Sequence, residues 1–154
     1  MNKTLKIFLI VITVVICVPI LSLILFGIFV NIGNNIVADN IESDLLDIAL
    51  PENTEIIDST SVAGKISGNG NGMQYVGAIL VKSELTSEEL EEYYESHSER
   101  IGVYNIHTEI EFEYHYDAYN FPTDVPENTY CIECWNYEMP QWFKQINEFD
   151  LRGH

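Results

Sequence analysis

The hydrophobic positions form one long uncharged run near the start of the chain and shorter periodic segments after it. Residues 7–30 contain no charged side chain. Four residues interrupt the aliphatic and aromatic run: Thr13, Pro19, Ser22 and Gly27. A helix rises about 1.5 Å per residue, so this run reaches roughly 36 Å, compared with about 30 Å for the hydrocarbon core of a bilayer. The pattern predicts a transmembrane helix at residues 7–30, preceded by a tail at residues 1–6.

A cleaved signal peptide is the alternative interpretation of this run. The hydrophobic part of a signal peptide spans about 7–15 residues and ends at a cleavage site of small residues. Residues 7–30 are longer than that, and the nearest candidate site, Ile36-Val37-Ala38, lacks the first small residue. We therefore expect an uncleaved membrane anchor.

Residues 31–50 are predicted to form a stalk between this anchor and the rest of the chain. Apolar residues recur there at spacings of five, four and three: Ile36, Ile41, Leu45 and Ile48. These spacings favour a short helix, which Leu50-Pro51 should stop. The remaining residues, 51–154, suffice for one modest exported domain.

Two segments rich in β-branched residues flank a run of alternating glycine and asparagine. Residues 54–66 and 73–82 are predicted to be strands. The run between them, GNGNG at residues 68–72, supplies positions that tolerate a positive φ. A phosphate-binding loop would need a helix directly after the glycines, whereas Met73 begins a strand-like segment. We therefore predict a β-hairpin.

A helix is predicted at residues 86–101. Thr86 and Glu89 have the spacing of a capping box, and Leu85 and Leu90 have that of a hydrophobic staple. Five residues recur at helical spacing and are predicted to form its buried stripe: Leu90, Tyr93, Tyr94, His97 and Ile101. Gly102 is expected to end the helix.

Alternation with a period of two predicts a further strand at residues 103–118, with one apolar and one polar face. Residues 129–138 predict a fourth strand, and the residues after Pro140 predict a short helix or turn that docks on the domain. The order β-β-α-β-β indicates an α+β domain, whose antiparallel sheet we expect to be covered on one side by the helix at 86–101.

The charges indicate both an orientation and a class of partner. Lys3 and Lys6 precede the apolar run, and the positive-inside rule then places the N-terminus in the cytoplasm and the domain outside the cell. After residue 30, five basic residues accompany all 24 acidic ones. This excess of negative charge disfavours nucleic acid as a partner and allows a protein or cationic ligand.

Cys131 and Cys134 form a C-x-x-C pattern within the fourth predicted strand. Side chains at i and i+3 of a strand point to opposite faces, and their Cα atoms lie about 10 Å apart, too far for a disulfide. We therefore predict two ordinary free thiols. A local disulfide in a turn, or a redox or metal role, stays open as an alternative.

The polar face of residues 107–117 contains the one candidate metal site, formed by Glu113, His115 and Asp117. Successive members lie about 6.6 Å apart along a strand, so they could hold a cation with help from a neighbouring strand. The alternative is a solvated sheet face. Neither a nucleophile elbow nor an H-E-x-x-H motif is present, so we expect neither a catalytic residue nor a cofactor.

Three sequence blocks carry a resemblance to a known group of proteins. GNGNGMQY, GAILVKSEL and the closing RGH resemble small uncharacterised single-span proteins of clostridial Gram-positive bacteria. The resemblance covers roughly residues 50–101 and the last few residues. It implies a short cytoplasmic tail, one span and a small exported domain, with no assigned activity. The leading hypothesis is a non-catalytic interaction or ligand-sensing domain; the alternatives are divalent-cation binding and thiol redox chemistry.

Overall fold

The computed structural model describes residues 2–66, 72–108, 118–135 and 140–150. The elements follow in this order: α1 Lys3–Leu46, β1 Thr54–Gly64, β2 Gln74–Ser83, α2 Ser87–Glu95, β3 Ile101–Asn105, β4 Thr129–Trp135, α3 Gln141–Lys144 and a 3₁₀ helix Asn147–Phe149. The predicted α+β class and the antiparallel sheet are confirmed.

Helix α1 runs without a break for 44 residues. Its first part is long and apolar enough to cross a membrane, and none of that window is covered by the rest of the protein. The two hydroxyls within residues 7–30 bond inside the helix, from Thr13 to the Leu9 carbonyl and from Ser22 to the Val18 carbonyl. Because these hydroxyls donate to carbonyls of the helix itself, they need no hydrogen bond from water, which suits a hydrocarbon environment.

The second part of α1 belongs to the core of the domain. Residues 31–46, interpreted above as a stalk, continue the same helix and bury one side against the sheet. The buried residues recur every three or four positions: Val30, Asn34, Val37, Ala38, Ile41 and Leu45. This spacing keeps them on one face of the helix, whereas Asp39 and Asp44, between these positions, are exposed.

Four antiparallel strands form one sheet in the order β1-β2-β4-β3. β1 and β2 pair from Thr54↔Ser83 to Gly64↔Gln74, with a register shift between Ile56 and Asp58. The hairpin predicted around the glycine run is therefore present. Gly72, the last residue of that run, has φ +99°, a conformation that L side chains rarely adopt.

The two faces of the sheet have different covers. On one face, α1 and α2 enclose a cluster that contains Leu45, Ile79, Leu90, Tyr94 and Ile132. On the other face, Tyr119 and Phe121 pack on Val76, Ala78 and Leu80. The helix predicted at 86–101 was expected to be the cover of the first face; α2 covers the part over β3, and α1 covers the part over β2.

Helix α2 is shorter than predicted. The capping box is present, with the Thr86 hydroxyl accepting from the Glu89 amide and the Glu89 carboxylate accepting from the Thr86 amide. The helix ends at Glu95, so His97 is exposed in the following turn and Ile101 begins β3. Gly102 lies inside β3, because the buried side chains of Ile101 and Val103 follow the period of a strand.

Of the strand predicted at residues 103–118, the described part consists of the end of β3 and a turn at residues 106–108. β3 ends at Asn105, and the Thr108 amide donates to the Asn105 carbonyl. The candidate metal ligands Glu113, His115 and Asp117 lie outside the described residues. The predicted docking of the C-terminal residues is present, since Phe143 packs into a cluster with Val37, Ile41 and Tyr75.

Candidate functional site

A cleft of about 340 Å³ opens where α1, the turn after α2 and the sheet meet. Its apolar lining consists of Ile41, Leu45, Ile48 and Ile101. Its polar lining consists of Asp44, His97, Ser98, Arg100 and the Cys134 thiol. The cleft therefore combines an apolar wall with charged groups of both signs, the usual composition of a small-molecule site.

The local sequence explains how these groups meet. Ile41, Leu45 and Ile48 are spaced by four and three residues, so they lie along one stripe of α1 and the turn after it. On the sheet, Ile101 of β3 pairs with Cys134 of β4, and both side chains face α1. Because α2 ends at Glu95, the turn after it contributes His97, Ser98 and Arg100 to the lining.

Burial and two charged groups of the cleft shift the pKa of the Cys134 thiol. Burial raises the pKa of Cys134, the Arg100 guanidinium lowers it, and the Asp44 carboxylate raises it. Both charges therefore act on one sulfur atom from within the same cleft. A ligand that carries an acidic and a basic group would meet a complementary charge for each.

The C-x-x-C pattern places its two thiols on opposite faces of β4. Cys131 pairs with Leu80 and is fully buried in the cluster with Tyr119, whereas Cys134 pairs with Gly77 and lines the cleft. Both cysteines are free thiols. Burial raises the pKa of Cys131 well above its usual range, and the pKa of Cys134 is also raised. A redox pair needs the opposite, a lowered thiol pKa.

A buried polar network joins α1 to the C-terminal residues. The Tyr75 hydroxyl donates to Asn34 Oδ1 over 2.7 Å, and Asn34 Nδ2 donates to Asp150 Oδ2 over 2.9 Å. Asn147 Nδ2 donates to the Tyr75 hydroxyl over 2.9 Å. The pKa of Tyr75 is raised, chiefly by burial. The groups bond to one another and so act as a structural link.

A second buried polar group lies on the other face of the sheet. Glu133 is fully buried, and its two carboxylate oxygens accept from the Tyr119 hydroxyl and from Trp135 Nε1, each over 2.5 Å. Burial and the Glu133 carboxylate both raise the pKa of Tyr119. Two neutral donors hold this carboxylate against an apolar cluster, which ties the loop containing Tyr119 to the sheet.

Other candidate sites in the described part of the chain are less suited to binding a ligand. No group of three or more His, Cys, Asp or Glu residues there could hold a metal ion. A polar depression of about 360 Å³ lies at the end of the β1–β2 pair, where Lys82 and Glu55 form an exposed ion pair over 3.0 Å. All the residues that line this depression are polar, so it offers no apolar wall to a ligand, and the cleft beside α1 is the better candidate.

Comparison with known protein families, with curated proteins and with solved structures finds no match for this chain.

Proposed function

We propose that the protein is a single-span membrane protein whose acidic exported domain binds a small ligand in the cleft without catalysing a reaction. One observation carries this proposal. The residues that form one wall of the cleft, Ile41, Leu45 and Ile48, are part of or directly follow the helix whose first part is apolar enough to span a membrane. Ligand binding would therefore act directly on the anchoring helix.

The lining favours a small zwitterion with an apolar group. Asp44 would bind an ammonium group, Arg100 and Ser98 would bind a carboxylate, and the isoleucine and leucine side chains would contact an apolar body. An apolar amino acid has this combination. The volume of about 340 Å³ is large enough for one such molecule.

Protection of Cys134 from alkylation tests the proposal. The full chain in lipid nanodiscs would be treated with N-ethylmaleimide, and each cysteine would be followed by mass spectrometry. Leucine or phenylalanine is expected to slow alkylation of Cys134, whereas glycine, which lacks the apolar body, is not. Asp44→Asn and Arg100→Gln should each weaken the protection about tenfold or more, since each removes a charge-assisted contact.

The proposal would be overturned if neither amino acid protects Cys134 and neither shifts the thermal unfolding of the Cys134→Ser protein. The buried Cys131 serves as the internal control, because its alkylation reports unfolding rather than access to the cleft.

The topology of the protein is part of the same proposal. Lys3 and Lys6 support a cytoplasmic N-terminus and an exported domain, and the resemblance to clostridial single-span proteins implies the same arrangement. The β-β-α-β-β order for the whole domain is proposed as well, since residues 109–117 lie outside the described residues. Protease added to intact cells should degrade the domain; resistance until the cells are lysed would contradict the orientation.

Cation binding by Glu113, His115 and Asp117 stays a prediction. Calorimetric titration of the full chain with Ca²⁺ and with Zn²⁺ tests it. The prediction is wrong if neither ion produces heat, or if the heat persists when all three residues are replaced by alanine.

A further inference from the structure

The C-terminal segment, residues 140–150, lies beside α1 at the end of the apolar run. The Phe149 ring contacts the Phe26 ring edge-on, with centroids 5.8 Å apart. Farther along α1, the Phe143 ring lies so close to Gly33 that an added Cβ there would sit 2.5 Å from its Cζ atom. The segment therefore follows the helix from Phe26 to Gly33.

These contacts indicate where a bilayer would end. From Ile7, the first residue of the uncharged run, to Phe26, α1 extends about 29 Å at about 1.5 Å per residue, close to the hydrocarbon thickness of about 30 Å. Beyond Phe26, Val30 is fully buried, and Asn34 donates hydrogen bonds to residues 147 and 150 of the segment. The hydrocarbon region thus ends near Phe26, several residues earlier than the boundary at residue 30 that the sequence alone suggested.

The segment also exposes two large aromatic side chains at this level. Trp142 is 59% exposed and Phe149 is 57% exposed. Among the described residues after α1, they are the only aromatic side chains in the set of exposed large hydrophobic residues, which otherwise contains Leu50, Ile56 and Ile57. Such rings are unfavourable in water, and Trp in particular is enriched where membrane meets water.

We propose that the C-terminal segment docks on the outer surface of the lipid bilayer, with Phe149 at the edge of the hydrocarbon beside Phe26 and Trp142 in the outer part of the headgroup layer. The partner is a zwitterionic lipid surface, because the strongly acidic domain is repelled by anionic headgroups. This inference rests on the proposed membrane anchoring of α1.

Docking would seat the domain directly on the membrane. Ile41, in the wall of the cleft, lies about 22 Å along α1 from Phe26 at about 1.5 Å per residue. The headgroup layer is about 5–8 Å thick on each side. The cleft would therefore open into water above the headgroups, within reach of soluble ligands.

Fluorescence quenching by brominated lipids tests this inference. The chain has two tryptophans, Trp135 and Trp142, so the difference between the wild-type protein and Trp142→Phe reports Trp142. Both proteins would be reconstituted as full chains into phosphatidylcholine vesicles, with and without lipids brominated near the headgroup. The Trp142 emission should be roughly halved by the brominated lipids and protected from acrylamide in the water, while the emission of Trp135 changes little.

A second variant moves the tryptophan from position 142 to position 149. Phe149→Trp in the Trp142→Phe background should be quenched more strongly by lipids brominated deeper in the acyl chain. Emission that acrylamide quenches and brominated lipid does not would overturn the inference, and so would protection from both quenchers, which would indicate contact with another protein copy.

Alkaline extraction of the same vesicles separates this inference from the membrane anchor. A chain that stays in the membrane at high pH but shows no lipid quenching retains the anchor and loses the docking. A chain that is extracted loses both.

Discussion

At the scale of single residues, Gly77 determines how closely α1 can approach the sheet. A Cβ on Gly77 would lie 2.6 Å from the Cα atom of Glu42, in the backbone of α1. Gly77→Ala should therefore push the helix away from β2 and lower the free energy of unfolding by about 1–3 kcal/mol. Thermal unfolding of the full chain in detergent measures this.

Gly64→Ala is the matched control for Gly77→Ala. Gly64 ends β1, and a Cβ added there meets no atom within 4 Å. Its effect should stay within about 0.5 kcal/mol. Equal losses in the two variants would contradict the close approach of α1 to β2.

Two buried tyrosines form a matched pair with opposite expected effects. The Tyr119 hydroxyl donates to Glu133, so Tyr119→Phe should destabilise the protein by about 1–3 kcal/mol. The Tyr94 hydroxyl is buried and has no hydrogen-bond partner among the residues that the structure describes. Tyr94→Phe should therefore be neutral or stabilising. Denaturant unfolding of both variants checks this, and a larger loss for Tyr94→Phe than for Tyr119→Phe would contradict it.

The raised pKa of Tyr94 should make the folded protein less stable in alkali. Burial raises the pKa of Tyr94 to about 12, whereas an unfolded tyrosine titrates near 10. Above pH 10 the unfolded chain releases a proton that the folded chain retains, so the free energy of unfolding falls as pH rises from 10 to 12. Unfolding curves across this range should show a smaller fall for Tyr94→Phe than for the wild-type protein.

The reactivity of Cys134 should follow the two charges beside it. Because the Asp44 carboxylate raises the pKa of Cys134, Asp44→Asn should lower that pKa and increase the thiolate fraction at pH 8. Arg100→Gln should have the opposite effect. Alkylation by the neutral reagent N-ethylmaleimide, without added ligand, should therefore be faster in Asp44→Asn and slower in Arg100→Gln. Slower alkylation in Asp44→Asn and faster alkylation in Arg100→Gln would contradict the position of these two charges beside Cys134.

At the scale of elements, Asn34 links α1 to the C-terminal segment. Asn34→Leu removes the amide that bonds the Tyr75 hydroxyl, the Asn147 carbonyl and the Asp150 carboxylate in a buried site. We expect the segment to detach, with a loss of about 3 kcal/mol or more. Amide hydrogen exchange should rise first at residues 146–150. Asn40→Ala, on the exposed side of the same helix, is the control and should leave this exchange unchanged.

Strands β1, β2 and β4 and the start of α2 could be predicted from sequence because their signals are local. The Thr86–Glu89 capping box and the β-branched segments around the hairpin act over a few residues. The end of α2 could not be predicted in this way. The spacing of Leu90, Tyr94, His97 and Ile101 fits a helix, but Ile101 pairs with Cys134 in the sheet. Nonlocal strand pairing overrode the local pattern there.

The cleft was hidden from sequence analysis for a related reason. Residues 31–46 have a helical apolar stripe, but its packing surface depends on Gly77 in a distant strand. The stripe itself was visible, since Val37, Ile41 and Leu45 repeat every four residues, and it could have indicated a core helix rather than a stalk. Asp44 and Arg100 gain their importance only once α1 and β3 are adjacent.

At the scale of the whole molecule, the excess of acidic residues should make stability depend on salt. The chain has a formal net charge of −17, and all 24 acidic residues follow residue 30. Like charges repel more strongly in the compact state than in the unfolded chain. Salt screens that repulsion, since the Debye length is about 10 Å at 0.1 M.

The unfolding temperature of the full chain in a nonionic detergent should therefore rise by several degrees between low salt and about 0.2 M NaCl. The exposed Lys82–Glu55 ion pair works in the other direction, but such a pair is worth at most about 1 kcal/mol. Replacing Glu91 and Glu92, both exposed on α2, with glutamine should raise the unfolding temperature at low salt and flatten its salt dependence. An unfolding temperature that is constant or falls with added salt would show that self-repulsion does not limit the stability of the domain.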